Sequence, residues 1–98
     1  MRTRFTEEAR QEYLAQIAYY AATDKDVADR FIRAVESASA LIEAYPYAGA
    51  PVQLNARRVL VRRFPFSIVY RPEETEIVVF AVAHRSRRPG YWTYRLED

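Results

Sequence analysis

Residues 77–83 read Ile-Val-Val-Phe-Ala-Val-Ala, an apolar run with no polar alternation. A strand with one face in water alternates polar and apolar residues. A uniformly apolar one needs neighbours at both edges and cover on both faces. The run is far too short to cross a bilayer, which takes about 20 residues. Glu76 to His84 is therefore expected in the middle of a sheet, and the rest of the chain must supply its neighbours and its cover.

The neighbours precede it. Residues 58–64 and 66–71 read as strands, with Pro65 marking a bend between them because it cannot donate to a ladder. Pro72-Glu73-Glu74-Thr75 reads as a hairpin turn, and Arg2 to Phe5 as a short leading strand. The cover comes from two helices. Thr6 is a good N-cap, followed by Glu7 and Glu8 where the helix dipole favours negative charge. Ala9, Tyr13, Ile17 and Tyr20 recur at helical spacing up to about Ala22. Residues 23–26 break that helix and cap a second, whose apolar stripe is Phe31, Val35, Ala38 and Ile42 and which Pro46 stops after Tyr45. The short break predicts an antiparallel helical hairpin. Residues 45–56, with Pro46, Gly49 and Pro51, read as a loop. The tail from Arg85 starts as a polar loop and is expected to end as a short strand carrying Tyr91, Trp92 and Tyr94. At 98 residues, half of them hydrophobic, the chain suits one α+β domain spanning 1–98: an N-terminal helical hairpin packed on a small antiparallel sheet.

Cysteine is absent, which removes disulfides, thiolate nucleophiles and cysteine metal sites. One histidine and scattered acids lack ligand spacing, and Gly49 and Gly90 make no phosphate-cradling loop, so neither metal nor cofactor is expected. Residues 1–6 are largely polar with no apolar h-region after them, so the expectation is a soluble, cytoplasmic chain without membrane contact.

Charge is divided unevenly. Residues 1–50 carry six basic and eight acidic groups, a balance of −2, whereas residues 51–98 carry nine and five, a balance of +4. Every basic group in the second half is arginine, and Lys25 is the only lysine. Arginine offers a planar fork that holds phosphate or carboxylate bidentately and stacks on rings. Arginine-rich codon usage accounts for the residue type, but not for its crowding into one half. Arg58, Arg62 and Arg63 flank the first long strand, and His84, Arg85, Arg87 and Arg88 leave the central one. Tyr91, Trp92, Tyr94 and Arg95 follow Pro89-Gly90. Strands one and three of the group can share a face, which would gather these arginines into a site for a polyanion, with aromatic rings as stacking platforms. His84 could act there as a general base or acid, or equally be structural, bonding a backbone carbonyl. Tyr91 could donate a proton or simply pack. Arg63 could instead pair with Glu36 or Glu43.

The order of motifs carries more. Tyr19-Tyr20, Ala28 and Phe31, Pro46 to Gly49 and Arg58 are followed by Arg63-Phe64-Pro65-Phe66-Ser67-Ile68-Val69-Tyr70. Ala83-His84-Arg85-Ser86-Arg87-Arg88-Pro89-Gly90-Tyr91-Trp92 completes the series. Over essentially the whole chain this resembles the RelE/ParE superfamily of toxins from type II toxin–antitoxin modules. The resemblance implies a cognate antitoxin that wraps the toxin with an acidic, partly disordered segment; the chain is expected as a homodimer or in a toxin–antitoxin hetero-oligomer. It implies one of two targets. RelE-like members cleave messenger RNA on the ribosome, and their roles would fall on His84, Arg85 and Tyr91 as catalytic residues. ParE-like members poison DNA gyrase, and Arg58, Arg62, Arg63, Arg87, Arg88 and Trp92 would be contact residues. The lysines common on RelE-type catalytic faces are absent, and the long hairpin and the His-to-Trp tail look closer to the ParE-like branch. A degenerate toxin kept as an antitoxin-binding module is the third alternative.

Overall fold

A computed structural model describes residues 1–96. The last two residues of the tail expected as a strand lie outside the described residues. Strand β1 (Arg2–Phe5) leads into α1 (Glu7–Thr23) and α2 (Lys25–Ala44), and then β2 (Ala50–Pro51), β3 (Arg57–Val61), β4 (Phe66–Pro72) and β5 (Glu76–His84) follow. The helix boundaries are written in side chains. Thr6 accepts from the Ala9 N–H at 3.2 Å. Asp24 serves both helices: its backbone N–H donates to the Tyr20 carbonyl, and its carboxylate accepts from the Asp26 N–H at 2.9 Å. One capping residue between two helices forces the tight antiparallel hairpin.

The sheet runs β1-β5-β4-β3-β2. Its β2–β3, β3–β4 and β4–β5 ladders are antiparallel, while β1 pairs with β5 in parallel. The parallel pair arises because the hairpin of helices carries the chain from β1 across one face before the sheet is built back to it. β5 is interior, as its composition requires, and β4 is the middle strand.

Both faces of β5 are covered. Phe31, Val35, Ala38 and Ile42 of α2 pack with Phe66, Ile68, Tyr70, Ile77, Val79 and Val82 on the helical face. On the opposite face Val69, Val78, Phe80 and Ala81 meet Ala56, Trp92 and Leu96. A β-bulge lets β5 serve both. Val69 pairs with Ala81 but Tyr70 with Val79, so Phe80 is the extra residue. Phe80 and Ala81 therefore face the same way, and the alternation resumes at Val82.

Two expectations change. The tail is not a strand: it turns through Gly90 at φ 75° and forms a 3-10 turn at Thr93–Arg95. Trp92 and Leu96, four residues apart, then fall on one side and seal the second core. The first long strand ends at Val61 rather than at residue 64. Arg62 and Arg63 occupy a turn, with Arg63 at φ 72°.

Tyr70 ties the loop after α2 to the sheet. Its ring is fully buried, its hydroxyl donates to the Pro46 carbonyl at 2.7 Å, and it accepts from the Gly49 N–H at 3.0 Å. A Cβ on Gly49 would stand 2.8 Å from both that ring and the Arg58 carbonyl, so only glycine fits there. Tyr70→Phe leaves the Gly49 N–H and the Pro46 carbonyl without partners and is expected to cost about 1–3 kcal/mol in urea unfolding. A loss below about 0.5 kcal/mol would mean the loop is held by other contacts.

Candidate functional site

The arginines fall into two groups. One cleft, about 300 Å³, lies between the β3–β5 face and the loop after β5. It is lined by Arg58, His84, Arg85, Arg87, Arg88, Tyr91 and Trp92 among others. Seven of the nine residues singled out from the sequence are thus brought together. Arg62 and Arg63 are not among them. They line a second groove of about 760 Å³ against α2, with Arg30, Arg33, Leu41, Leu60 and Phe64. The ion pair anticipated from Arg63 to Glu36 or Glu43 does not form; the Glu43 carboxylate instead accepts from the Thr3 hydroxyl at 2.6 Å. Among the described residues no cluster of histidine, cysteine or acids could hold a metal, and no helix is long and apolar enough to cross a membrane.

Two side chains of the first cleft have fixed hydrogen-bonding roles. His84 stands at the end of β5 with its ring edge-on to Phe66, centroids 5.0 Å apart. Its Nδ1 accepts from the Ser86 N–H at 3.0 Å and lies 2.7 Å from the Ser86 hydroxyl. The partner is thus a backbone N–H rather than the carbonyl expected. A ring nitrogen that accepts carries no proton, so the neutral imidazole bears its proton on Nε2 and presents a donor there. Tyr91 is committed too. Its hydroxyl donates to Glu12 Oε2 at 2.8 Å. Burial, then the hydrogen bond and charge of Glu12, push the phenol well above its usual range. Trp92 is buried and belongs to the second core.

Behind Tyr91 stands a pair that the sequence does not reveal. Arg95 donates twice to the Glu12 carboxylate, Nη1 to Oε1 at 3.1 Å and Nη2 to Oε2 at 3.0 Å. The two side chains are 8% and 18% exposed respectively. Burial pulls the Arg95 guanidinium down, but the hydrogen bonds and charges of Glu12 and Tyr94 together outweigh it and the net shift is upward. The pair also completes β5. β1 pairs with β5 only as far as Val79; beyond it the Phe80 carbonyl accepts from Arg95 Nη1 at 2.9 Å and the Val82 N–H donates to Glu12 Oε1 at 2.9 Å. Two side chains thus stand where a longer β1 would have supplied backbone groups. The only sequence signal was an acid at the position beside Tyr13, indistinguishable from a solvated one.

Tyr91, anchored at its hydroxyl, carries the Arg87 guanidinium over its ring at 3.8 Å from the centroid, within the range of a cation–π contact. The order of support is Arg95 to Glu12, Glu12 to Tyr91, and Tyr91 to Arg87.

The comparisons agree with this architecture. No curated protein matches the chain. A solved structure of the chromosomal ParDE toxin–antitoxin system from P. aeruginosa is similar in fold at 20% sequence identity. That match has a TM-score of 0.73 over 86% of this chain and 95% of the other. Residues 3–89 match the family model described as the ParE toxin of the type II toxin–antitoxin system parDE. With the helical hairpin, the five-stranded sheet and nearly the full length accounted for, the chain belongs to the ParE family of type II toxins.

Proposed function

We propose that this ParE-type toxin arrests growth by poisoning DNA gyrase through surface contact, and that a cognate antitoxin holds it inactive. The observation that carries the first half is the state of the two proton-transfer candidates. An RNA-cleaving site needs a base to take the 2′-hydroxyl proton and an acid to supply the leaving group. His84 Nδ1 is occupied by Ser86 and the Tyr91 hydroxyl by Glu12. Arginine, with a pKa above about 12, does not shuttle protons. A donor-rich, proton-fixed face is suited to gripping a target rather than cutting it.

The second groove supports the antitoxin. Leu60 and Leu41 are exposed there at 64% and 42%, ringed by Arg30, Arg33, Arg62 and Arg63. β2 covers only Arg57 and Arg58 of β3, which leaves the outer edge of residues 59–61 open to strand addition. An acidic segment with apolar anchors matches such a surface in both charge and hydropathy.

Induction in a bacterial host tests the reading. The expected result is growth arrest with a DNA-damage response and intact transcripts, weakened in steps by Arg85→Ala, Arg87→Ala and Arg88→Ala. Codon-proximal messenger cuts abolished by His84→Ala would replace it with the nuclease. A folded chain that causes no arrest would make it a binding module.

A further inference from the structure

Some of the chain's arginines have partners within the fold. Arg4, Arg10, Arg71 and Arg95 meet carboxylates, and Arg57 donates to the carbonyls of Tyr47 and Gly49. Arg58, Arg85, Arg87 and Arg88 meet no carboxylate among the described residues, yet all four line the one cleft of about 300 Å³. Confining like charges raises the energy of the free protein, and an arriving anion relieves it.

The lining narrows the kind of anion. No acidic residue lines the cleft, and none of the large exposed apolar side chains does. Protein partners usually engage through buried aromatic or aliphatic anchors ringed by polar groups. The α2 groove exposes such anchors in Leu41 and Leu60, whereas the two aromatic side chains of this cleft are already engaged, Tyr91 by Glu12 and Trp92 in the second core. A phosphodiester with its sugar needs no apolar anchor and is held by forked cations and N–H donors.

Two of the donors are also positioned before any ligand arrives. The Arg87 guanidinium carbon stands 3.8 Å over the centroid of the anchored Tyr91 ring, and no carboxylate among the described residues takes its N–H groups. His84, its Nδ1 engaged by Ser86, has Nε2–H left to donate.

We infer that this cleft binds the phosphodiester backbone of a nucleic acid, with Arg58, Arg87 and the Nε2–H of His84 as donors and Tyr91 as the positioning residue under Arg87. The inference concerns the face assigned to target contact but does not depend on gyrase, because it is read on the purified chain alone.

Fluorescence anisotropy with a labelled duplex DNA, a labelled single-stranded RNA of matching sequence and a labelled polyglutamate peptide tests it. Two charged phosphate contacts, from Arg58 and Arg87, predict duplex binding about twelvefold weaker at 200 mM than at 50 mM salt, from a slope of about −0.9 per contact. Arg87→Gln combined with Arg88→Gln is expected to weaken binding at least about tenfold and to flatten that slope. Arg2→Gln with Arg10→Gln removes the same charge elsewhere and is expected to change binding less than about twofold. Thermal melts of both variants establish that they are folded. Tighter binding of the duplex or of the RNA identifies which backbone the cleft takes. Polyglutamate binding more tightly than either nucleic acid would overturn the inference in favour of an acidic protein. Equal losses in the two double variants, or none in the first, would overturn it as well. Growth arrest is scored separately, so gyrase poisoning can stand where nucleic-acid binding fails.

Discussion

Phe31→Ala is expected to lower unfolding free energy by about 3–5 kcal/mol. The ring is fully buried and is the point at which four parts of the fold meet. It packs edge-on against Tyr20 of α1, Phe64 of the β3–β4 turn and Phe66 of β4, with centroids 5.3, 5.2 and 5.4 Å away. Tyr13 lies at 5.9 Å. Removing it costs the transfer of an aromatic side chain plus the cavity left among rings that cannot collapse together. Against a total of about 5–15 kcal/mol for a domain of this size, the loss is a large fraction. Each kcal/mol corresponds to about 4–8 °C in Tm. Phe31→Leu keeps most of the volume and should cost about 1.5 kcal/mol or less. Equal losses for Ala and Leu would mean that ring geometry matters more than filled space. A loss under about 1 kcal/mol for Phe31→Ala would mean that the helices reach the sheet through other contacts. Because Phe64 leans on Phe31 and also lines the α2 groove, the variant should weaken antitoxin capture as well.

The legible parts of the fold share a cause. The buried set of α2 (Ala28, Phe31, Val35, Ala38 and Ile42) repeats at helical spacing, and Asp24 caps by chemistry local to itself. The placement of β5 follows from the composition of one segment. The illegible parts all depend on something distant in sequence. Four residues of β1 do not say that their partner is β5, or that the pairing is parallel. The tail reads as a strand because aromatic residues favour strands, while the four-residue spacing of Trp92 and Leu96 carries the opposite signal, which the fold follows. Arg62 and Arg63 were assigned to a strand that stops short of them; Pro65 marked the bend, but the chain had already turned. At the site, the gathering of Arg58 with residues 84–92 was readable from strand order. The Glu12–Arg95 pair was not, since its members stand 83 residues apart and each alone reads as a surface charge.

That pair carries the second large effect. Glu12→Ala is expected to cost about 3–5 kcal/mol, because it strands the buried Arg95 guanidinium without a counter-charge. It also takes the acceptor from the Tyr91 hydroxyl and the Val82 N–H. Arg95→Ala should cost a similar amount for the reciprocal reason and also frees the Phe80 carbonyl. The double replacement Glu12→Leu with Arg95→Met removes both charges and keeps the volume. Buried pairs exchanged in this way often lose little, yet here two backbone groups of β5 would remain unpaired. The double variant is therefore expected to retain a cost of about 1–3 kcal/mol, well below the sum of the single losses. Urea unfolding of the four proteins measures the coupling directly. Single losses that simply add would mean that the two side chains act independently, with no shared role at the β5 edge. The same variants separate stability from function. With the hydroxyl anchor of Tyr91 gone, its ring no longer has a fixed height under Arg87. Nucleic-acid binding should then fall even in the double variant that keeps most of its stability. Binding that survives there in full would show that Arg87 reaches its ligand without the platform.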